Sequence, residues 1–357
     1  MGSIFTATGN GTYDGPASQG GYNDFGDSLV RINPAATTPW PPADWYTPGD
    51  VSSFVGYTPP PNPALCSTLC GCDMDVASGG VLVVPSGYKY TCYPASGACN
   101  QCSGSNAQCN VVINADKQSN IYVASQSNLG GLSNGGGNNN IEVVQTPYPA
   151  PMDYTNPNGS YQGYWASPAY WYDGSNDWVF YSATDQIPKD APYPIGGYQL
   201  TLNNTNKGQT NPVPQTATAS TAVGFCPMSP TPSVSSDLVN PATGVLWAIE
   251  NPDKNSGEGN CNGYTNQHAV LHAFCATVST QTSNVCYSAA SPPQLNQLYI
   301  STSDVVATDI SKPVPYSVPT VFNGLVFMGT GVYESNGQAE VDVFGPCSVY
   351  GGCIKQP

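Results

Sequence analysis

The sequence predicts an all-β fold made of repeated strand–turn–strand units, and three observations support this prediction. Near the end of the chain, two runs rich in β-branched and aromatic residues flank Asn323-Gly324, a dipeptide that suits a tight type I′ hairpin. The same pattern recurs several times upstream. The chain also holds 38 Gly, 34 Pro and 23 Tyr, and no long run of helix formers follows a 3.6-residue period. Helix is therefore expected to be scarce.

The strand units follow one another from one end of the chain to the other. Each unit is a set of short apolar runs separated by Gly, Asn, Pro or Ser turns. The runs expected to form strands lie at 4–8, 28–32 and 44–47; at 80–84, 110–113 and 120–124; at 166–172, 178–183 and 197–202; at 233–236, 244–249 and 269–274; and at 314–322, 325–330 and 339–345. Self-similarity at such intervals is typical of units that cannot bury their apolar faces alone. We predict a single β-propeller-type domain over residues 1–357, with about five recognisable four-stranded blades.

The thirteen cysteines indicate an oxidising compartment and structural disulfides. A Cys-rich insertion at about 58–109 has no apolar core of its own, so we expect staples within it. The candidate staples are Cys66, Cys70, Cys72, Cys92, Cys99, Cys102 and Cys109, with Cys347 and Cys353 closing a terminal loop. Further bridges are expected among Cys226, Cys261, Cys275 and Cys286. An iron–sulfur or metal site in the insertion is the alternative, although paired CxxC knuckles are absent.

Charge excludes several classes of partner. The chain has 8 Lys and Arg against 23 Asp and Glu, a net charge of −15, so it lacks the basic stripe that nucleic acid binding requires. No stretch approaches the 18 or more apolar residues that span a bilayer as a helix. Acidity and disulfides together predict an extracellular or cell-surface protein. Three sequons, at Asn10, Asn158 and Asn203, are candidate glycosylation sites in expected loops.

The two histidines are the candidate cofactor-binding residues. His268 and His272 lie four apart in an expected strand, so both would face the same side, where they could ligate a metal or the haem of a partner protein. The alternative is that His272 packs in the core and His268 lies at a loop edge. No CxxCH motif is present for covalent haem. Calcium is a further candidate, because some loops are rich in oxygen ligands, but none has EF-hand spacing and solvated turns explain them better. The acidic residues of these loops are Asp14, Asp24, Asp27, Asp73 and Asp75.

Several phrases together resemble a known family. They include Thr8-Gly9-Asn10-Gly11-Thr12-Tyr13-Asp14-Gly15, Phe25-Gly26-Asp27-Ser28-Leu29-Val30-Arg31-Ile32, the hairpin at 115–123, and Gly244-Val245-Leu246-Trp247-Ala248-Ile249-Glu250. In this order they resemble bacterial pyrroloquinoline-quinone-like β-propeller repeat proteins. In that family the matching signatures belong to the C-terminal half of a longer propeller. The resemblance therefore implies that the leading blades are either missing or supplied by another polypeptide.

The resemblance implies the fold and not the activity. Quinone-dependent dehydrogenases of that wider superfamily hold their cofactor with adjacent cysteines and a calcium site, and no Cys-Cys pair occurs here. We expect no catalytic residues and no cofactor, and a structural scaffold within an extracellular assembly or filament that joins through blade edges. Two alternatives remain: a protein partner in a haem-based electron-transfer assembly, or a degenerate quinone-dependent dehydrogenase-like enzyme.

Overall fold

The computed structural model describes residues 2–9, 13–15, 24–38, 40, 42–48, 76–85, 90–91, 108–117, 120–132, 142–145, 163–183, 192–200, 213–214, 217–225, 230–237, 240–251, 268–301, 313–314, 316–331 and 339–345. These residues form strands and turns with almost no helix, which confirms the all-β prediction. They belong to two compact units, residues 1–167 with 200–216, and residues 168–199 with 217–357.

The first unit contains two four-stranded sheets and two small hairpins. Its strands are β1 (Ile4–Ala7), β2 (Tyr13–Gly15), β3 (Asp24–Phe25), β4 (Leu29–Ile32), β5 (Asp44–Thr47), β6 (Leu82–Val83), β7 (Tyr90–Thr91), β8 (Gln108–Cys109), β9 (Val111–Ala115), β10 (Asn120–Ser125), β11 (Gly131–Leu132) and β12 (Glu142–Gln145). Sheet I has the order β1-β4-β5-β11, and sheet II has the order β12-β10-β9-β6. Strand pairs β2-β3 and β7-β8 form the hairpins.

The second unit contains three sheets. Its strands are β13 (Ala169–Tyr172), β14 (Asp177–Ser182), β15 (Tyr193–Gln199), β16 (Ala219–Phe225), β17 (Ser233–Asp237), β18 (Asn240–Glu250), β19 (Val270–Cys275), β20 (Gln294–Leu295), β21 (Gln297–Ile300), β22 (Thr320–Phe322), β23 (Leu325–Thr330) and β24 (Glu340–Phe344). Sheet III has the order β13-β14-β15-β16-β20, sheet IV β17-β18-β19-β21, and sheet V β22-β23-β24.

Each of the five sheets contains at least one antiparallel pair of strands that are consecutive in the chain. The hairpin predicted at Asn323-Gly324 is confirmed: both residues have positive φ, 50° and 75°, and they join β22 to β23. The arrangement of these sheets as the blades of a propeller stays a prediction.

Two short parallel strands extend sheets I and III. Strand β11 pairs in parallel with β5, and β20 pairs in parallel with β16. In sequence, β11 lies between β10 and β12 of sheet II, and β20 lies between β19 and β21 of sheet IV. Sheet I is therefore connected at one edge to sheet II, and sheet III to sheet IV. We call β11 and β20 the clasp strands.

The core lies between stacked sheets within each unit. Sheets I and II enclose a cluster that includes Leu29, Tyr46, Val112 and Tyr122. In the second unit, alternate residues of β18 and β19 point to opposite faces of sheet IV. Both of these faces are covered by another sheet. One face packs with sheet III through Leu246, Ala248, Phe274 and their neighbours. The other face packs with sheet V through Ile249, Leu271, Val326 and Met328.

One disulfide is present among the described residues. Cys275, at the end of β19, is bonded to Cys286. The other candidate staples lie outside the described residues, except Cys109, which lies in β8: Cys66, Cys70, Cys72, Cys92, Cys99, Cys102, Cys347 and Cys353. The sequons at Asn10, Asn158 and Asn203 and the loop residues Asp73 and Asp75 also lie outside them.

Candidate functional site

The candidate site is the surroundings of His272 in the middle of sheet IV. Strand β19 has the sequence Val-Leu-His-Ala-Phe-Cys and is buried along its whole length. His272 pairs with Ala248 of β18, and Val270 pairs with Glu250. Strand alternation therefore directs His272 and Glu250 to the same face, diagonally across the two strands.

Both nitrogens of the His272 ring have hydrogen-bond partners. Nε2 lies 2.9 Å from Oε2 of Glu250. Nδ1 lies 3.0 Å from Nε2 of Gln297, the first residue of β21. Because an amide nitrogen can only donate, Nδ1 accepts this bond, and Nε2 carries a proton that it donates to the Glu250 carboxylate. The network fixes the tautomer of the histidine.

Aromatic rings surround the pair and keep water away. The imidazole stacks on Phe274, with ring centroids 5.8 Å apart and an interplanar angle of 4°. Phe225 of sheet III meets it edge to face at 5.2 Å. The side chains of His272 and Glu250 are both fully buried. A carboxylate in such surroundings costs free energy unless it is hydrogen-bonded, and the bond from His272 offsets part of that cost.

The arrangement limits what His272 can do chemically. A metal or haem iron needs the lone pair of a neutral imidazole nitrogen, and the Nδ1 lone pair is engaged by Gln297. Ligation would therefore require this hydrogen bond to break. The ligand role stays a prediction, and the observed geometry is that of a packed, hydrogen-bonded core residue.

The structure does not place the second histidine in the same network. His268 lies two residues before β19 and is partly buried. Among the residues that the structure describes, no three or more His, Cys, Asp or Glu side chains come close enough to hold a metal ion. Of the acidic loop residues proposed for calcium, Asp27 is buried with a positive φ of 47°, and its backbone N–H donates to the carbonyl of Gly9 at 2.9 Å.

A second polar cluster joins the clasp of the first unit to sheet I. Asp44 of β5 accepts a hydrogen bond from the backbone N–H of Leu129 at 2.7 Å and lies 3.5 Å from the Arg31 guanidinium. Arg31 also donates to the carbonyl of Gln126 at 2.9 Å. Burial raises the pKa of Asp44 above its ordinary value, although these contacts lower it in part. The cluster fastens the segment that leads into β11.

A half-buried tyrosine–aspartate pair shows the same use of polar groups in sheet III. The hydroxyl of Tyr170 donates to the Asp177 carboxylate on the neighbouring strand. Burial, followed by this hydrogen bond, raises the pKa of Tyr170 well above its ordinary value. The phenol therefore stays protonated and acts as a fixed donor within the sheet.

Sequence reasoning identified His272 and missed its partners. Glu250 and Gln297 were not among the candidate residues, because their proximity depends on strand register. A carboxylate at the end of the apolar run 245–249 was the available signal, since such runs usually form buried strands.

Comparison with known proteins adds no relative. The chain gives no match to any family model, to any curated protein or to any solved structure. The resemblance to quinone-type propeller repeats therefore stays an expectation from the sequence phrases. Among the described residues, no helix is both long enough and apolar enough to cross a membrane.

Proposed function

We propose that the protein is a structural scaffold of the extracellular space or cell surface, a β-propeller-type stack of sheets that serves as a subunit of a larger assembly. One observation supports this best: sheet IV is covered on both faces, and its ionisable pair lies inside the packing. Glu250 and His272 are placed where no substrate reaches them. Their geometry suits a role in holding sheets together.

Two further features support an extracellular or cell-surface location. Net charge is −15, which keeps copies soluble and suits neither nucleic acid nor anionic lipid as a partner. The Cys275–Cys286 bridge closes a segment of irregular chain beside the core of sheet IV. Disulfides of this kind persist in oxidising compartments.

Assembly through sheet edges is the mode that the architecture favours. The clasp strands show how this chain covers an edge, since a short extended segment pairs in parallel with the last strand of the preceding sheet. Strand addition by a neighbouring polypeptide would use the same backbone hydrogen bonds. A heterologous contact of this type that does not close produces a filament.

The test is the state of the purified full-length chain in native buffer. Light scattering and negative-stain electron microscopy should find polymers, or a complex with a second polypeptide at fixed stoichiometry. A stable monomer near 37.3 kDa under all conditions would contradict the proposal. Dye-linked dehydrogenase turnover after addition of pyrroloquinoline quinone and calcium would replace it with an enzymatic function.

A further inference from the structure

The outer face of sheet V is apolar and exposed. Strand alternation and register place one set of side chains on the side away from sheet IV. This outer face is formed by Thr320, Phe322, Leu325, Phe327, Val341 and Val343. Phe322 is 65% exposed and Val341 is 63% exposed, while Leu325, Phe327 and Val343 are half-buried. None of the six carries a charge.

The inner face of the same sheet shows what this kind of surface normally contacts. Val326 and Met328 of β23 alternate with the outer residues and are buried against Ile249 and Leu271 of sheet IV. Sheet IV in turn packs on sheet III. The stack of sheets III, IV and V therefore ends on a face with the same chemistry as its internal contacts.

We propose that the outer face of sheet V is a dimerisation surface, which packs against the same face of a second copy of this chain. The inference rests on the proposed function in assuming self-association, and it adds a contact through a sheet face to the edge contacts proposed above. A two-fold contact is self-complementary, so each Phe322 and each Val341 would leave water when the copies meet.

Charge supports a second copy as the occupant. Two chains of net charge −15 repel each other, so a contact between copies requires a patch without carboxylates, and the outer face is such a patch. A basic partner would instead require acidic groups here. The stacked sheets of the second unit show how two such faces could pack in the dimer. Sheets packed face to face lie about 10 Å apart with interdigitated side chains.

The size of the face sets the expected strength. Three strands about 4.8 Å apart and up to six residues long cover roughly 300 Å² on each copy. Stable dimers usually bury about 800 Å² per partner, so this contact alone should be weak and depend on concentration. We expect a dissociation constant in the micromolar range or weaker.

Val341→Lys tests the proposal, with Val285→Lys as its matched control. Both valines are highly exposed, at 63% and 68%, and only Val341 lies on the outer face. Sedimentation equilibrium of the full chain from about 1 to 200 µM should show wild-type mass rising from one chain towards two. Val341→Lys should weaken association by at least about tenfold, because each dimer would bury charge, while Val285→Lys should change it less than about twofold.

Salt dependence and a second variant complete the experiment. Added NaCl should tighten the dimer, since screening reduces repulsion between acidic copies while an apolar contact is retained. If Val341→Lys alters the unfolding curve, Phe322→Ser replaces it, since this side chain is also largely exposed. Wild-type protein that stays monomeric throughout, or equal weakening by Val285→Lys, overturns the proposal.

The outcomes separate this proposal from the scaffold function. Polymers that form equally well with Val341→Lys would leave the scaffold intact and refute the dimerisation face. Dimers that depend on Val341 and never form larger particles would support the face and refute the larger assembly.

Discussion

At the residue scale, the chain uses buried polar groups as fixed connectors between strands. His272 joins Glu250 on β18 to Gln297 on β21, and its ring is held between Phe274 and Phe225. Hydrogen bonds to charged groups are worth more than neutral ones, and a buried partner left alone costs more still. Stability should therefore respond to which partner is removed.

Glu250→Ala should destabilise the fold by about 1–3 kcal/mol, because the His272 Nε2–H loses its acceptor inside an apolar cluster. Glu250→Gln keeps an acceptor oxygen and should cost less. Urea unfolding of the two variants measures the difference. Equal losses would show that the carboxylate charge matters and the hydrogen bond does not.

Asp44 should make stability depend on pH in the acid range. Its pKa is raised in the folded state, so protonation favours folding; its contribution is fully present below the ordinary value of 3.8 and is lost as pH rises through the raised value. Asp44→Asn removes this titration and keeps an acceptor for the Leu129 N–H. The stability of wild type relative to Asp44→Asn should therefore increase as pH falls from 7 towards 4.

Arg31→Gln tests whether the Arg31 charge contributes to the pH dependence set by Asp44. The Arg31 charge lowers the Asp44 pKa in part, so its removal should shift the pH-dependent change to higher pH. Denaturant unfolding at a series of pH values gives both curves. The prediction would be wrong if wild type became more stable relative to Asp44→Asn as the pH rises.

At the element scale, the clasp strands connect one edge of sheet I to sheet II and one edge of sheet III to sheet IV. Strand β20 has only two residues, yet Leu295 is completely buried in the core between sheets III and IV. Its backbone pairs with Thr221 of β16. Side-chain burial must supply most of the stabilisation, because so short a strand makes few hydrogen bonds.

Leu295→Ala should cost about 2–5 kcal/mol, the usual range for a buried leucine truncation that leaves a cavity. Leu298→Ala is the matched control: this leucine lies three residues on, is 39% exposed, and should cost about 0.5 kcal/mol or less. Thermal or urea unfolding measures both. A similar loss in the two variants would show that β20 does not anchor the sheets.

The same elements show how far the sequence predicts this fold. Most strands with several apolar residues were predicted, but β16 and β21 were missed. The Asn323-Gly324 turn identified the last hairpin, since few other residues accept its positive φ values. The two-residue clasp strands have no periodicity to detect. The Glu250–His272 contact depends on register, and the Cys275–Cys286 pairing was one of several open combinations, because connectivity does not follow from spacing.

At the scale of the whole molecule, net charge opposes compactness. Carboxylates outnumber basic side chains by 23 to 8, and their mutual repulsion is greatest when the chain is folded. Raising NaCl from about 0.05 to 0.5 M shortens the Debye length from about 14 to about 4 Å. Screening should therefore stabilise the folded chain more than the unfolded one.

We expect this screening to raise the Tm by on the order of 1–3 °C, the shift produced by roughly 1 kcal/mol in a chain of this size. Calorimetry at several NaCl concentrations measures it, and KCl is the control, because screening depends on ionic strength and not on the cation. A rise with one salt only would indicate specific ion binding. A fall would show that attractive ion pairs, such as Arg31 with Asp44, outweigh the excess negative charge.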